Sequence, residues 1–214
     1  MVQVDRGEHL RSGEWLELNR TYWEERTGEG ALHPELVAVA LRGPGPRILQ
    51  LGSGDGLDAL ELAQRGARVV GVDFSMPAVR RARAAAAERD LAGSARFVCA
   101  NLYELRHMLP EPDSFDVVLS SAGVVSWLPD AEEWARLVEW FLAPGGVALI
   151  APSSSAPVDA DVRTWSRPSS ALAAALTAVG LSVDEDAPLR AAKPAWDRSP
   201  PPPPRRFAPA PERV

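Results

Sequence analysis

The chain has 214 residues, 46% of them apolar, and a formal net charge of −6. That length suits one α/β domain with a full core, the apolar runs fall far short of a bilayer span, and the acidic balance disfavours a nucleic-acid partner. A lone cysteine, Cys99, excludes an intrachain disulfide and a cysteine-built metal site; with no basic-then-apolar leader at the start, the expected compartment is a reducing cytoplasm.

Residues 14–26 read as a short amphipathic helix, ended by Gly28 and Gly30. Pro34 suits the first turn of a second helix, Glu35–Leu41, which Gly43-Pro44-Gly45-Pro46 stops. A regular alternation follows. Strand 47–51 leads into a helix from Leu57 to Arg65, and strand 68–72 into an Ala/Arg-rich helix, 77–90. Strand 95–99 precedes a short segment around Tyr103–Leu109. Strand 115–120 precedes helix 131–142, and Ala143-Pro144-Gly145-Gly146 turns into strand 147–151. Ala171–Val179 is a helix ended by Gly180, and Leu181–Val183 begins a sixth strand. Continuous apolar strands such as Val117-Val118-Leu119 suit a parallel sheet covered on both faces, and alternating strands and helices give a doubly wound α/β fold. From residue 187 the chain changes character. Pro200–Pro204 and the residues after it read either as a polyproline or disordered tail, or, at Arg205–Ala210, as a degenerate last strand.

The chemistry is concentrated where the first strand ends. Gly52, Gly54 and Gly56 form a glycine-rich turn between strand and helix, and the next strand ends on an acid, Asp73. A dinucleotide fingerprint would need a glycine at position 57, which is Leu57. The spacing leaves a loop of nucleoside or phosphate size at a helix N-terminus.

With these elements placed, residues 19–186 resemble a bacterial class I S-adenosylmethionine (SAM) methyltransferase of the small-molecule type. Gly52-Ser53-Gly54-Asp55-Gly56 resembles the first motif, Gly71-Val72-Asp73-Phe74-Ser75 the second, and Phe97-Val98-Cys99-Ala100-Asn101 the third. Asn19–Arg26, Ser121–Asp130 and Ala143–Gly146 resemble the N-terminal segment, the loop after strand four and the turn before strand five. The implied fold is α/β, a doubly wound, mainly parallel Rossmann-like sheet. The implied cofactor is S-adenosyl-L-methionine, with S-adenosyl-L-homocysteine as product. Residues 1–42 would form an N-terminal helical lid, 43–186 the SAM-binding core, and 187–214 the tail or last strand.

The resemblance implies specific roles. Gly52, Ser53, Gly54 and Gly56 would let the backbone lie against the cofactor. Asp73 would accept both ribose hydroxyls, against the alternative of capping helix 77–90. Phe74 would lie along the adenine face or else serve the core. Asn101 would accept the adenine amine where the family often has Asp, or act as a turn residue, and Leu102 would offer its backbone amide to the purine. Gln50 stands where the family usually has an acid near the cofactor ammonium, and Ser120 would offer its carbonyl there. Tyr22 and Trp23 would close over the methionine carboxylate or simply pack the first helix on the sheet.

Methyl transfer needs alignment and exclusion of water more than acid–base groups. A general base is required only if the nucleophile keeps its proton. The candidates are His33 and His107, each with the ordinary alternative of a solvated histidine. Ser121 and Trp127, after strand four, are expected acceptor contacts, with core packing as the alternative for Trp127, and Trp165 and Arg163 are expected on the opposite wall. No His/Asp/Glu cluster has metal-ligand spacing, so no metal is expected. The stretch Pro152–Pro168 is short for a substrate cap, which leaves either an open pocket or a wall completed by the tail or a second subunit. The reading is a methyltransferase acting on an O, N or C atom of a small molecule, with no nucleic-acid or membrane partner, as a monomer or homodimer. The competing reading is a protein of this fold that uses bound SAM structurally, or to catalyse a rearrangement or cyclisation.

Overall fold

A computed structural model describes Leu10 and residues 12–24, 34–120, 123–150, 162–184 and 189–195. Apolar runs without alternation form the middle of a seven-stranded sheet. The strands are β1 (Arg47–Leu51), β2 (Arg68–Asp73), β3 (Ala95–Cys99), β4 (Phe115–Ser120), β5 (Leu142–Ile150), β6 (Ser182–Asp184) and β7 (Leu189–Ala192). Their order is β3-β2-β1-β4-β5-β7-β6. Strands β1 to β5 pair in parallel, and β7 is antiparallel to both neighbours. The order reverses between β1 and β4, which opens a crevice at the carboxyl ends of those strands.

Seven described α-helices accompany the sheet: α1 (Glu14–Glu24), α2 (Pro34–Ala40), α3 (Leu57–Gln64), α4 (Met76–Glu88), α5 (Leu105–Met108), α6 (Ala131–Phe141) and α7 (Ser169–Ala178). Helix α6 buries Trp134, Leu137, Val138 and Phe141, a three-to-four spacing that lays one stripe on the sheet. Asp130 Oδ1 accepts the Glu133 amide at 2.9 Å and caps it. That stripe shares one core with β4, β5 and α7. The second core joins α2, α3 and α4 to β1 and β2.

Three boundaries differ from expectation. Leu36, Val37, Val39 and Ala40 lie in the second core, so residues from 34 onward belong to the α/β body and not to a separate lid. The turn expected at 143–146 is absorbed into β5 as a bulge. Phe115 pairs with Leu142 and Val117 with Val147, so five steps on one strand face two on the other. The core also reaches past residue 186. Leu189–Ala192 is the last described strand of the sheet, running between β5 and β6, inside the stretch expected to be a tail or a degenerate last strand but ahead of the expected Arg205–Ala210. Arg205–Ala210 and the proline run lie outside the described residues, as do residues 25–33 and 151–161. Among the described residues no helix is long and apolar enough to cross a membrane.

Candidate active site

The glycine loop is fixed to the end of β2 by backbone geometry. The amides of Gly52 and Ser53 both donate to the Val72 carbonyl, at 2.8 and 2.9 Å. The Gly54 amide donates to Asp73 Oδ2 at 2.9 Å, and Asp73 Oδ1 accepts the Ser75 amide at 2.9 Å. Asp73 therefore clamps the loop to its own turn through both oxygens, with the Phe74 amide also bonded to the carboxylate, and a carboxylate has about four acceptor sites in all. It is 9% exposed. Burial raises its carboxyl pKa above the ordinary range, against the pull of the Ser75 and Gly54 amides. The cap of α4 is Ser75, whose hydroxyl accepts the Ala78 amide at 3.3 Å, so Asp73 is free of that duty.

The glycines serve different purposes. A Cβ at Gly52 would stand 2.2 Å from a Val124 methyl, and one at Gly56 would stand 2.7 Å from the Phe97 ring. These two positions are kept bare by the protein's own packing. A Cβ at Gly54 would meet nothing within 4 Å, so the loop faces open space there. Asp55, next in the loop, is held by Arg81 of α4 at 2.7 and 2.9 Å.

Phe74, which follows Asp73 at the end of β2, is half-buried and outside both core clusters. Asn101 is committed to the chain: Oδ1 accepts the Tyr103 amide at 3.1 Å and Nδ2 donates to the Leu10 carbonyl at 2.9 Å. The turn role has been realised, and Leu102 follows it, buried, in a short 3-10 turn. Gln50 is buried at the end of β1, its Nε2 3.5 Å from Asp58 Oδ2. Ser120 ends β4 and its hydroxyl accepts from Trp134 Nε1 at 3.3 Å.

Over this edge lies α1. Tyr22 and Trp23 meet Trp127, with ring centroids 5.3 and 5.2 Å apart. Those rings are in direct contact, so Trp127 packs against the N-terminal helix. Trp165 packs edge-on against Trp15 at 5.8 Å, and Trp15 against Tyr103 at 6.4 Å. His107 is exposed on α5. His33 and Ser121 lie outside the described residues. No cluster of metal-ligating side chains occurs among the described residues.

Three residues in this assembly escaped the sequence. Asn19 is 1% exposed, and its amide both donates to the Arg163 carbonyl and accepts from the Arg163 amide, at 2.8 and 2.9 Å. Arg167 donates to the carbonyls of Leu128 and Pro129 at 2.8 and 2.7 Å. Val124 covers Gly52. Only Asn19 left a trace, as a polar residue four positions from both Trp15 and Trp23 on the buried face of an amphipathic helix.

Residues 48–146 match the family of methyltransferase domains. A Mycobacterium tuberculosis protein of uncharacterised function is 35% identical over 115 residues, 54% of this chain and 40% of that one. A tRNA 5-carboxymethoxyuridine methyltransferase of Escherichia coli is 30% identical over 101 residues, 47% of this chain and 38% of that one. Geranyl diphosphate C-methyltransferase from Streptomyces coelicolor, solved with geranyl diphosphate and S-adenosyl-L-homocysteine, superposes with a TM-score of 0.66 at 14% identity. That match covers 80% of this chain and 81% of the other. The chain spans about two fifths of the length of the curated relatives it matches. A sheet ordered β3-β2-β1-β4-β5-β7-β6 with β7 reversed, a glycine loop clamped to the acid of β2, and a methyltransferase domain matched over residues 48–146 agree with the resemblance to class I SAM-dependent methyltransferases.

Proposed function

We propose that the chain is a methyltransferase that takes SAM as cofactor and moves its methyl group to an O, N or C atom of a small molecule. The observation that carries this reading is the pair of Gly54 and Asp73. A loop with open space beyond Gly54 is held by a carboxylate that keeps acceptor capacity beyond the amides it already accepts. That donor and acceptor set fits a nucleoside with two adjacent hydroxyls. Phe74 supplies an aromatic face beside it. Asn101, occupied by Leu10 and Tyr103, leaves the purine edge to the backbone at Leu102.

SAM, when bound, supplies an activated methyl group on a sulfonium. The chain's part is to hold cofactor and acceptor in line and to exclude water. The aromatic contacts of Tyr22 and Trp23 with Trp127 support an apolar, covered acceptor side. The net charge of −6 supports a small acceptor over a polyanion, although the similar proteins include tRNA and 23S rRNA methyltransferases.

Calorimetric titration with SAM, S-adenosylhomocysteine and NAD tests the cofactor. Binding of the first two and silence for NAD is the expected result; no heat with SAM refutes it. Transfer of labelled methyl to tRNA but to no small acceptor would overturn the acceptor class.

A further inference from the structure

Resting on that reading, we propose that residues 162–167 are a strap, with Asn19 and Arg167 as the positioning residues that make the N-terminal helix and the loop after β4 move as one cover over the glycine loop. Neither residue needs to touch cofactor or acceptor for this.

The contacts run in series. Asn19 holds Arg163 through its backbone donor and acceptor together, the pattern one strand residue offers another. A buried amide side chain is suited to this because it carries both functions, whereas a carboxylate would face the Arg163 carbonyl with like charge. Two residues on, the Trp165 amide donates to the Ser126 carbonyl at 2.7 Å. Two further on, Arg167 spreads its guanidinium over the carbonyls of Leu128 and Pro129 and reaches that of Val125 at 3.3 Å. These acceptors lie within and just after the 3-10 turn Val124–Trp127, which begins after Gly123 in the left-handed region. The turn places Val124 on Gly52 and Trp127 on Tyr22 and Trp23. The circuit closes, because Tyr22 and Trp23 stand on the same helix as Asn19.

A closed circuit of this kind has few intermediate positions. Loosening the strap at one end frees the far side, since the 3-10 turn takes its tethers from the strap. The cover would then open as a unit to admit and release the cofactor.

Hydrogen exchange on the ligand-free protein reads the coupling. The Ser126 and Leu128 amides are bonded within the turn, and Asn19 donates to neither. Asn19→Asp should speed their exchange roughly tenfold while the amides of β1 and β4 keep their protection. Unchanged protection at Ser126 and Leu128 overturns the proposal. Should Asn19→Asp fail to fold, Arg167→Lys tests the circuit from the other end, because a point charge cannot span two carbonyls. Faster exchange of the Arg163 amide supports the strap, and unchanged exchange overturns it. Stopped-flow release of SAM should quicken by about the same factor in a variant that loosens the turn. A wild type that binds no SAM defeats the proposed function while the exchange result still decides the coupling.

Discussion

Asp73→Asn separates binding from folding. In the native protein Asp73 accepts the Gly54 and Ser75 amides while buried, and burial outweighs those bonds in setting its carboxyl pKa above the ordinary range. The asparagine keeps one acceptor oxygen but must turn its NH2 toward the other backbone donor. Leaving that amide unpaired costs about 1–3 kcal/mol. Removal of a buried charge offsets part of this, so the net loss of unfolding free energy should stay below about 2 kcal/mol. The cofactor loses a charged acceptor for its hydroxyls, a loss of about 1.5–3 kcal/mol, or roughly 10- to 150-fold in Kd. Urea denaturation and calorimetry with SAM measure the two quantities on the same preparation. A folded variant whose Kd stays within about threefold of wild type would refute the ribose assignment. Asp73 would then be a loop clamp alone.

The same carboxyl gives a pH signature. Its raised folded pKa means that the folded state holds the proton more tightly than the unfolded chain, so this group's contribution to stability is present at low pH and is lost as pH rises through that pKa. Affinity for SAM should run the opposite way, falling on acidification from a point above the ordinary aspartate range, as calorimetry across pH would register; a flat profile down to that range contradicts it. Gly71→Ala puts a Cβ 2.7 Å from the Phe97 ring and 2.9 Å from the Ser53 Cβ, and should cost about 1–3 kcal/mol in denaturant titrations. Phe97→Leu should recover at least about 1 kcal/mol of that in a double-mutant cycle, and strict additivity would show that the ring is not the obstacle. Gly52→Ala should lower Tm because its Cβ would meet Val124 at 2.2 Å and its φ is +70°. Adding Val124→Ala should relieve the clash and leave only the backbone strain, about 1 kcal/mol; no recovery on calorimetric melting would place the cost elsewhere.

The parallel strands were legible because each is an apolar run bounded by turn residues, and the glycine loop because its spacing is set by local geometry. The place of Asp73 at the end of β2 is legible in the sequence, as an acid closing an apolar run. Its duty on the Gly54 amide is not, since that bond joins residues 19 apart. The reasons for Gly52 and Gly56 lie in Val124 and Phe97, which only folding brings near them. Strand β7 was missed for a simpler reason: Leu189-Arg190-Ala191-Ala192 is short and weakly strand-forming, and it sits beside a proline-rich stretch that draws the eye. The ring contacts of Trp127 come from Tyr22 and Trp23, on a helix about a hundred residues earlier, a neighbourhood that the sequence around its own loop does not reveal.

The position of β7 also dictates an order of assembly. Strand β6 is made before β7 yet touches the sheet only through it, and the outer edge of β5 pairs only with β7. Until Leu189–Ala192 arrives, a nine-residue apolar strand stands with a bare edge and β6 has no ladder to join. Since β6 and β7 are consecutive and antiparallel, the non-local step is the pairing of β7 with β5, as of Ala192 with Val147, and long-range pairing of this kind slows folding. Lys193 then fixes the pairing. Its backbone exchanges hydrogen bonds with Gly145 and Gly146, and its ammonium pairs with Asp113 and with Glu139 at 3.1 Å. A slip of one residue would bury that charge without partners, so the lysine acts as a register pin for the closing step.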